Sequence, residues 1–278
     1  MKLIICDMSG IVSIKGINND KLLDVFPKLK SFKYSFCTGK GYLGGYETIK
    51  KYPMDLPFIC ENGSVIVSKD GKVLYNDCME YSKVEKLIHN LEKIPFEFLA
   101  YVDLATHKYK FLRGSKKLTE DLSQPWFHSE EIYYDVDSFL DSIDKNNICR
   151  ITTRGLELSN NVEGIEIFHV VVSENEFHSI CNKGTNKGFG VKKLAELYNV
   201  VPEDVVIIGN DMNDIDMFKL DCGLKIATGN NETPKELLEL ADLYVNLEDL
   251  PEFLAELDKN PQNMVKCRAI RGDFLWKI

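Results

Sequence analysis

Short apolar runs alternate with amphipathic stretches in the N-terminal part of the chain. Residues 3–6 form an unbroken apolar run, as expected of a strand that is covered on both faces of a parallel sheet. Asn19 or Asp20 then begins an amphipathic helix, and further strands are predicted at residues 34–37 and 57–60. This alternation of strands and helices is typical of a parallel α/β sheet.

The pattern changes in the middle of the chain. Strands at 65–67 and 73–75 flank an Asp-Gly turn and predict a hairpin. Residues 81–183 then mix helices with aromatic-rich strands, which predicts an inserted α+β domain. Within this segment we expect helices near residues 84–91 and 136–143, and strands at 96–101, 109–112, 148–152 and 165–172.

After this segment the alternation of strands and helices resumes. The predicted elements are a helix over 186–198, strands at 205–208 and 224–227, and helices near 233–240 and 247–257. The predicted fold is therefore α/β, with a Rossmann-like parallel-sheet core formed by residues 1–80 and 184–278. Residues 81–183 are predicted to form an α+β cap domain inserted into that core.

Composition and charge exclude several classes of function. The formal net charge of the 278 residues is −9 and basic residues form no dense run, so a nucleic-acid-binding surface is not expected. The eight cysteines are dispersed without a Cys-x-x-Cys pair, as in proteins that keep free thiols in a reducing cytosol. No apolar stretch reaches membrane-spanning length. We therefore expect a cytoplasmic protein that does not bind a membrane, and the oligomeric state stays open.

Polar side chains follow several of the predicted core strands. The first strand is followed by Asp7 and Ser9, the second by Thr38 and the third by Asn62. Lys187 lies at the start of a later helix. The strand at 205–208 is followed by Asn210, Asp211, Asn213 and Asp214. Because the carboxyl ends of parallel strands meet at one edge of a sheet, where ligands bind, we expect these residues to lie close together.

These residue types suit Mg²⁺-assisted phosphoryl transfer to a side chain. Carboxylate and carbonyl oxygens are the ligands that Mg²⁺ prefers. Thr38 and Lys187 are expected to hold the phosphoryl oxygens and to offset their charge. Asp7 is then the nucleophile, which divides hydrolysis into two easier displacements. Alternatively, Asp7 only caps a turn and takes no part in catalysis.

Five short motifs resemble the haloacid dehalogenase superfamily, in its Cof-like sugar-phosphatase branch. Asp7-Met8-Ser9-Gly10 is similar to the family's Asp-x-Asp-Gly-Thr motif, and Thr38-Gly39-Lys40 is similar to its Ser or Thr followed by Gly-Arg. Glu61-Asn62-Gly63 resembles a Glu-Asn-Gly stretch of this branch. Lys187-Gly188 resembles the motif of the invariant lysine, and residues 209–214 resemble the Gly-Asp-x-x-Asn-Asp motif.

The resemblance implies a role for each matching residue. Catalysis would rest on Asp7, Ser9 and Lys187, and substrate binding on Thr38, Gly39, Asn62 and Asn213. A Mg²⁺ ion would be surrounded by Asp7, the Ser9 backbone carbonyl, Asn210, and Asp211 or Asp214. The implied function is a Mg²⁺-dependent phosphohydrolase that acts on a small phosphorylated metabolite, such as a sugar phosphate, through an aspartyl-phosphate.

Three residues depart from the family pattern. Ser9 stands where the family has the Asp that protonates the leaving group, and a serine hydroxyl lacks a suitable pKa for this work. Ile11 replaces a Thr, and Asn210 replaces an Asp that ligates the metal. Asp211 or Asp214 is expected to compensate at the metal. The two lost carboxylates predict weaker Mg²⁺ binding, slower catalysis or both.

These departures leave two alternative functions open. One is a catalytically degenerate member that binds a phosphorylated ligand or a partner without efficient turnover. The other is a phosphotransferase, or a hydrolase of a non-phosphate substrate, from the same superfamily. In the cap, Tyr101, Tyr109, Trp126 and Phe127 either line a substrate pocket or fill the hydrophobic core.

Overall fold

The computed structural model describes residues 1–14, 17–54, 56–119, 129–156, 162–172, 177–229 and 233–264. The strands in these ranges are β1 (Lys2–Asp7), β2 (Ser13–Ile14), β3 (Ile17–Asn18), β4 (Phe32–Cys37), β5 (Phe58–Cys60), β6 (Val65–Val67), β7 (Val73–Asn76), β8 (Phe98–Val102), β9 (Tyr109–Arg113), β10 (Ser129–Tyr133), β11 (Ile151–Arg154), β12 (Phe168–Val172), β13 (Phe177–Asn182), β14 (Val205–Gly209), β15 (Leu224–Gly229) and β16 (Leu243–Asn246). The helices are α1 (Asp20–Val25), α2 (Tyr42–Ile49), α3 (Tyr81–Leu91), α4 (Val136–Ser142), α5 (Lys187–Leu197), α6 (Ile215–Phe218), α7 (Lys235–Leu240) and α8 (Leu250–Lys259). Among the described helices, none has both the length and the apolar character that crossing a membrane requires.

Strand β1 shows why an unbroken apolar run becomes a central strand. Ile4 and Cys6 pack into the hydrophobic cluster on one face of the sheet, whereas Leu3 and Ile5 pack into the cluster on the other face. All four side chains are fully buried. Since alternate side chains of a strand point to opposite faces, a strand between two helical layers requires apolar residues at consecutive positions.

The larger sheet has the strand order β16-β15-β14-β1-β4-β5-β6-β7. Strand β1 is parallel to both of its neighbours, and the parallel pairing continues to β5 on one side and to β16 on the other. Strands β6 and β7 add an antiparallel edge. The chain extends the sheet first from β1 towards β5 and later from β14 towards β16. The topological switch point, where such sheets bind ligands, therefore lies between β1 and β14.

Helices cover both faces of this sheet. Leu22 of α1, Ile49 of α2 and Leu254 of α8 lie in the cluster on one face. Leu194 of α5 and Leu237 of α7 lie in the cluster on the other face. Burial from both sides is the arrangement of doubly wound α/β proteins. The predicted α/β fold with a Rossmann-like parallel sheet is confirmed.

The chain between β7 and α5 forms a second sheet. Its strand order is β10-β9-β8-β11-β13-β12, and the pairs are antiparallel except for β9 with β10. Leu87 of α3 and Phe139 of α4 are buried in the cluster on this sheet. Tyr101 belongs to the same cluster and fills its core. Trp126 and Phe127 lie outside the described residues.

The sequence pattern is wrong about several strands. It predicts no strand at β10, β13 or β16, and the strand predicted at 148–152 begins only at Ile151. Residues 165–167, predicted to begin a strand, form a 3₁₀ turn before β12. Strand β13 contains the polar residues His178 and Ser179, so its sequence resembles that of a loop. Hydrogen bonding to β11 on one side and β12 on the other stabilises this strand without an apolar pattern.

A turn of unusual backbone geometry follows β5. Glu61 and Asn62 both have a φ of 54°, and Gly63 has a φ of 100°. A Cβ on Gly63 would lie 1.9 Å from the backbone oxygen of Asn186 and 3.0 Å from the backbone nitrogen of Lys187. The turn therefore packs directly against the start of α5, an approach that only a residue without a side chain allows.

We expect Gly63→Ala to destabilise the protein far more than Gly184→Ala. Gly184 also has a positive φ, of 89°, but nothing lies within 4 Å of a Cβ at that position. Gly184→Ala should cost about 1 kcal/mol of unfolding free energy through backbone strain. Gly63→Ala adds a backbone clash and should cost roughly 3 kcal/mol or more. Chemical denaturation measures both values, and equal losses would show that the turn does not depend on its close contact with α5.

Candidate functional site

The carboxyl ends of β1 and β4 place two of the predicted site residues side by side. Asp7 is the last residue of β1 and is in register with Cys37, the last residue of β4. Thr38 follows directly after Cys37. The side chains of Asp7 and Thr38 are buried, with 2% and 1% of their surface exposed. The sheet edge therefore holds both groups away from bulk water.

Lys187 connects the loops at this edge. Asn186 caps α5 by accepting a hydrogen bond of 2.8 Å from a backbone N–H of the first turn, so that Lys187 begins the helix. The Lys187 Nζ donates to Asp7 Oδ1 and to Asp214 Oδ1, both at 2.6 Å. It also donates to Asn213 Oδ1 at 3.0 Å. Four residues that the sequence assigns to the site are thus in direct contact.

The buried charges of this cluster do not cancel. Lys187 and Asp214 are almost completely buried, so one ammonium faces the two carboxylates of Asp7 and Asp214 away from water. Burial, together with repulsion from Asp214, raises the pKa of Asp7 to about 7, although Lys187 opposes the shift. Burial alone would lower the pKa of Lys187, but the two carboxylates outweigh it and hold this pKa above its usual value. An additional positive charge would therefore be favourable here.

Hydrogen bonds occupy both carboxylate oxygens of Asp214. Oδ1 accepts from Lys187, and Oδ2 accepts from the backbone N–H groups of Asn210 at 2.9 Å and Asp211 at 3.1 Å. The Asp211 side chain turns back on its own loop and accepts from the N–H of Met212 at 2.6 Å. The two residues expected to compensate for Asn210 at a metal thus hold the loop that follows β14 in place.

The side chain of Asn210 packs against the loop that follows β1. A Cβ on Gly10 in that loop would lie 2.5 Å from Asn210 Nδ2. The Asn210 Oδ1 is buried and accepts no hydrogen bond from the described residues. Ser9, one residue before Gly10, is exposed. Because buried polar atoms are normally paired, the unpartnered oxygen of Asn210 indicates a position for a ligand atom.

Thr38, Gly39 and Asn62 form another side of the site. The Asn62 backbone N–H donates to the backbone oxygen of Thr38 at 3.2 Å. A Cβ on Gly39 would lie 2.7 Å from Asn62 Oδ1, which is a second buried oxygen without a partner among the described residues. Three of the four predicted substrate-binding residues therefore lie together, and the fourth, Asn213, contacts Lys187 instead.

A buried ion pair that the sequence analysis missed joins the second sheet to this edge. Arg150 directly precedes β11, and its Nε lies 2.7 Å from Glu61 Oε2. The guanidinium also donates to the backbone oxygen of Gly39, and to the hydroxyl of Tyr109 at 3.1 Å. Burial raises the pKa of Glu61, and Arg150 opposes this shift. A lone arginine within the apolar run at 148–151 was the signal available in the sequence, because a charge in such a run needs a partner.

The donor atoms at this edge fit a hard cation with few anionic ligands. In the described parts of the chain, no three His, Cys, Asp or Glu side chains converge as metal ligands. The oxygens that remain are those of Asp7, the Asn210 Oδ1 and the backbone beside Ser9, and Mg²⁺ prefers such oxygens. The excess negative charge of Asp7 and Asp214 also favours a cation. The residues present thus fit Mg²⁺.

Comparison with models of known families identifies one family. The family model of haloacid dehalogenase-like hydrolases matches residues 4–249. MG125 of Mycoplasma genitalium, described as a candidate phosphatase, is 22% identical over 95% of this chain and 97% of its own. YbjI of Escherichia coli, named a 5-amino-6-(5-phospho-D-ribitylamino)uracil phosphatase, is 23% identical over 79% of this chain and 82% of its own.

Solved structures of this superfamily share the fold. BT1666 from Bacteroides thetaiotaomicron, described as a phosphatase, has a TM-score of 0.72 at 19% identity and covers 93% of this chain and 94% of its own. BT4131, described as a sugar phosphatase of subclass IIB, has a TM-score of 0.73 at 14% identity, with 93% of this chain and 98% of its own covered. At these identities the likeness establishes a common fold and does not define a substrate.

We expect Asp7→Asn to stabilise the metal-free protein more at pH 8 than at pH 5. Folding raises the pKa of Asp7 from 3.8 to about 7, so the folded wild type loses stability as the pH rises through this window. The amide introduced by the substitution cannot ionise and leaves a balanced pair of Lys187 and Asp214. The gain in unfolding free energy of the variant over wild type should therefore grow by roughly 2–3 kcal/mol between these pH values.

Denaturation in a chelating buffer measures this difference. Asp211→Asn is the matched control, because it removes a negative charge from the same sheet edge without touching Lys187. If the gain in unfolding free energy of Asp7→Asn is the same at both pH values, or if Asp211→Asn shows the same gain, ionisation of Asp7 does not destabilise the folded protein.

Proposed function

Because the chain belongs to the haloacid dehalogenase-like hydrolase family, we propose that it is a Mg²⁺-dependent phosphatase of a small phosphorylated metabolite. The observation that carries this proposal is the contact of Lys187 with Asp7 and Asp214, at 2.6 Å from each, beside the switch point of the sheet. A carboxylate can attack phosphorus, and an adjacent ammonium can offset the charge of the phosphoryl group. The relatives named as phosphatases support the same activity.

Asp7 is the proposed nucleophile. One of its carboxylate oxygens attacks the phosphorus while the bond from phosphorus to the leaving oxygen breaks, and an aspartyl-phosphate forms. Water then attacks this phosphorus, the bond from phosphorus to the Asp7 oxygen breaks, and inorganic phosphate and the carboxylate are released; the proton that water loses passes to the solvent, from which the departed alkoxide takes up a proton. Because the hydrogen bond from Lys187 holds Oδ1, we assign the attack to Oδ2 of Asp7. Asp214 fixes Lys187 from the other side and so keeps the ammonium beside the reacting group.

Thr38, Gly39 and Asn62 are the proposed binding groups for the phosphoryl oxygens. They lie at the end of β4 and in the turn after β5, next in the sheet to Asp7. The Asn62 amide can rotate to present its N–H groups, since its Oδ1 has no partner among the described residues. Asn213, held by Lys187, would contact the same phosphoryl group from the loop after β14.

Asp7, the Ser9 carbonyl and the Asn210 Oδ1 would hold Mg²⁺. Asp214 and Asp211 stay part of the proposed metal surroundings, although here they act through their hydrogen bonds to Lys187 and to the loop. When bound, the cation would offset the negative charge of the phosphoryl oxygens. The neutral amide of Asn210 weakens the affinity for Mg²⁺, because it replaces an anionic ligand by a neutral one.

The second sheet is the proposed cap, and its presence supports a small substrate. Arg150 and Tyr109 of this segment contact the Gly39 loop directly, so the segment limits the space above the phosphate-binding residues. The assignment of residues 81–183 as the cap domain remains a prediction from the sequence. YbjI is named for a compound that carries a phosphorylated ribityl chain, which is an alkyl phosphate. A sugar phosphate or a similar alkyl phosphate is the substrate class that we propose to test first.

A catalytically degenerate protein that binds a phosphorylated ligand is the second candidate. Ser9 and Asn210 favour it, because both stand where the family has carboxylates. The remaining carboxylates, Asp7 and Asp214, are both paired with Lys187. Such a protein would bind phosphorylated compounds at the same residues but would release no phosphate.

A phosphate-release screen across phosphorylated metabolites with Mg²⁺ separates the two candidates. The wild type should release phosphate from at least one compound, and Asp7→Asn should abolish this release while its folded structure stays intact, as judged by circular dichroism. Release by Asp7→Asn at the wild-type rate would remove Asp7 from the mechanism. Binding of a phosphorylated compound without release by the wild type would favour the degenerate protein.

We expect Ser9→Asp to raise the hydrolysis of alkyl phosphates. Without a general acid at position 9, an alkoxide leaves slowly, whereas phenolate and acyl leaving groups need little proton donation. The wild type should therefore prefer aryl and acyl phosphates over sugar phosphates. Ser9→Asp should raise kcat on sugar phosphates by up to about 10²-fold, which is the lower end of the usual contribution of a general acid.

Asn210→Asp is the matched control for this experiment, since it adds a carboxylate at the metal position without adding a proton donor at position 9. It should lower the Mg²⁺ concentration needed for half-maximal activity and leave the preference for aryl phosphates unchanged. If the wild type already hydrolyses a sugar phosphate at ordinary rates and Ser9→Asp brings no gain, another residue supplies the proton.

A further inference from the structure

Two cysteines meet where the second sheet joins the larger one. Cys78 lies in the segment from residue 77 to 80 that links β7 to α3, and Cys149 lies just before β11. Their Sγ atoms are 3.2 Å apart, although the residues are 71 positions apart in the sequence. The fold thus brings two uncrosslinked thiols from distant parts of the chain into direct contact.

Hydrogen bonds on both sides hold the two cysteine segments next to each other. The backbone N–H of Met79 donates to the backbone oxygen of Ile148 at 2.7 Å. On the other side, Asn76 Nδ2 donates to Asn147 Oδ1 at 3.1 Å. The pair is therefore preorganised, because the chain can form a bond between the sulfurs without first moving two distant segments together.

The two thiols differ in exposure in a way that suits stepwise oxidation. Cys78 is partly exposed, whereas Cys149 has only 3% of its surface exposed. A hydrogen bond from the Cys149 thiol lowers the pKa of Cys78, and burial raises the pKa of the fully buried Cys6 and Cys60. Of these cysteines, Cys78 is thus the one that a small oxidant can reach and the one whose thiolate is favoured.

The cysteine pair also lies at the connections between the two sheets. Asn182, at the end of β13, donates from Nδ2 to the backbone oxygen of Cys78 at 2.8 Å. Thr185, in the segment that returns the chain to α5, donates its hydroxyl to Asp77. Arg150, next to Cys149, reaches Glu61 and Gly39 at the candidate site. A bond at this position would therefore join residues 77–80 covalently to the chain before β11, while Asn182 and Thr185 connect the returning segment to residues 77–80 by hydrogen bonds.

We propose that Cys78 and Cys149 form a reversible disulfide in the presence of a hydroperoxide, and that this disulfide restrains movement of the second sheet relative to the larger one. The Cys78 thiolate attacks one peroxide oxygen, which gives a sulfenic acid and one molecule of water from hydrogen peroxide. The Cys149 sulfur then attacks the Cys78 sulfur, the sulfur–oxygen bond breaks, and a second water leaves. The two thiols are oxidised, and the peroxide takes up both electrons and both protons.

Any effect of this disulfide on turnover rests on the proposed phosphatase activity, whereas the disulfide itself does not. A substrate that binds below the second sheet needs that sheet to move for entry and release, and such movements often limit kcat. Restraint at the connecting segments should therefore lower turnover in the oxidised protein, and a thiol reductant should restore it.

The test compares the wild type with three single variants after treatment with hydrogen peroxide. The wild type should lose two of its eight thiols, and digestion without reduction should give one crosslinked peptide pair that contains Cys78 and Cys149. Its intact mass should fall by that of two hydrogen atoms, and dithiothreitol should reverse the change. Cys78→Ser and Cys149→Ser should give no crosslink. Cys222→Ser, which removes a buried thiol elsewhere, should crosslink like the wild type.

Hydrogen exchange gives a second readout that does not require activity. Amides of residues 76–80 and 183–186 should exchange more slowly in the oxidised wild type than in the reduced wild type. In Cys149→Ser these amides should exchange at the same rate with and without peroxide treatment.

A wild type that keeps eight thiols, or in which Cys78 crosslinks to another cysteine, would overturn the disulfide. A disulfide that leaves both exchange and turnover unchanged would overturn the restraint. If the reduced wild type releases no phosphate at all, the proposed function fails while the crosslink and exchange results still decide this inference.

Discussion

The ion cluster of Lys187 with Asp7 and Asp214 constrains the rest of the structure. Moving these charged groups out of water costs several kcal/mol for each one, and close pairing is what offsets that cost. The pairing needs the end of β1, the loop after β14 and the first turn of α5 to meet within hydrogen-bonding distance. The switch point of the sheet supplies two of these elements. The packing of Gly63 against the start of α5 fixes the third.

The same cluster explains how the neutral side chain of Asn210 affects the stability of the protein without a bound cation. Asp7 and Asp214 place two carboxylates against the single ammonium of Lys187, and burial together with repulsion from Asp214 raises the pKa of Asp7. A third carboxylate at position 210 would add to the repulsion and would lower the stability of the chain without a cation. Asn210 avoids that repulsion but attracts a cation less strongly. Asn210 would therefore favour the stability of the free chain at the expense of affinity at the proposed Mg²⁺ site.

Much of this arrangement follows from the sequence, because strand ends are easy to recognise. Buried apolar runs locate β1 and β14, and the polar residues behind them identify Asp7, Asn213 and Asp214. Contacts that depend on tertiary packing are not visible in this way. The pairing of Arg150 with Glu61 joins the residue before β11 of the second sheet to the turn after β5 of the larger sheet, and no local pattern specifies such a partner. Strand β13 was missed for a related reason, since its neighbours rather than its own sequence stabilise it.

The pairing of Arg150 with Glu61 has a consequence for the proposed catalytic cycle. Contacts within the chain itself hold the Arg150 guanidinium against Glu61 and Gly39. The second sheet is therefore held against the Gly39 side of the candidate site without a substrate. Opening would hydrate both charged groups, and this hydration would offset part of the lost ion pair. In the proposed phosphatase, release of the product would require the same break of the Arg150–Glu61 ion pair as entry of the substrate. Substrate entry and product release would therefore share one opening step in the proposed enzyme, whatever the rate of bond breaking.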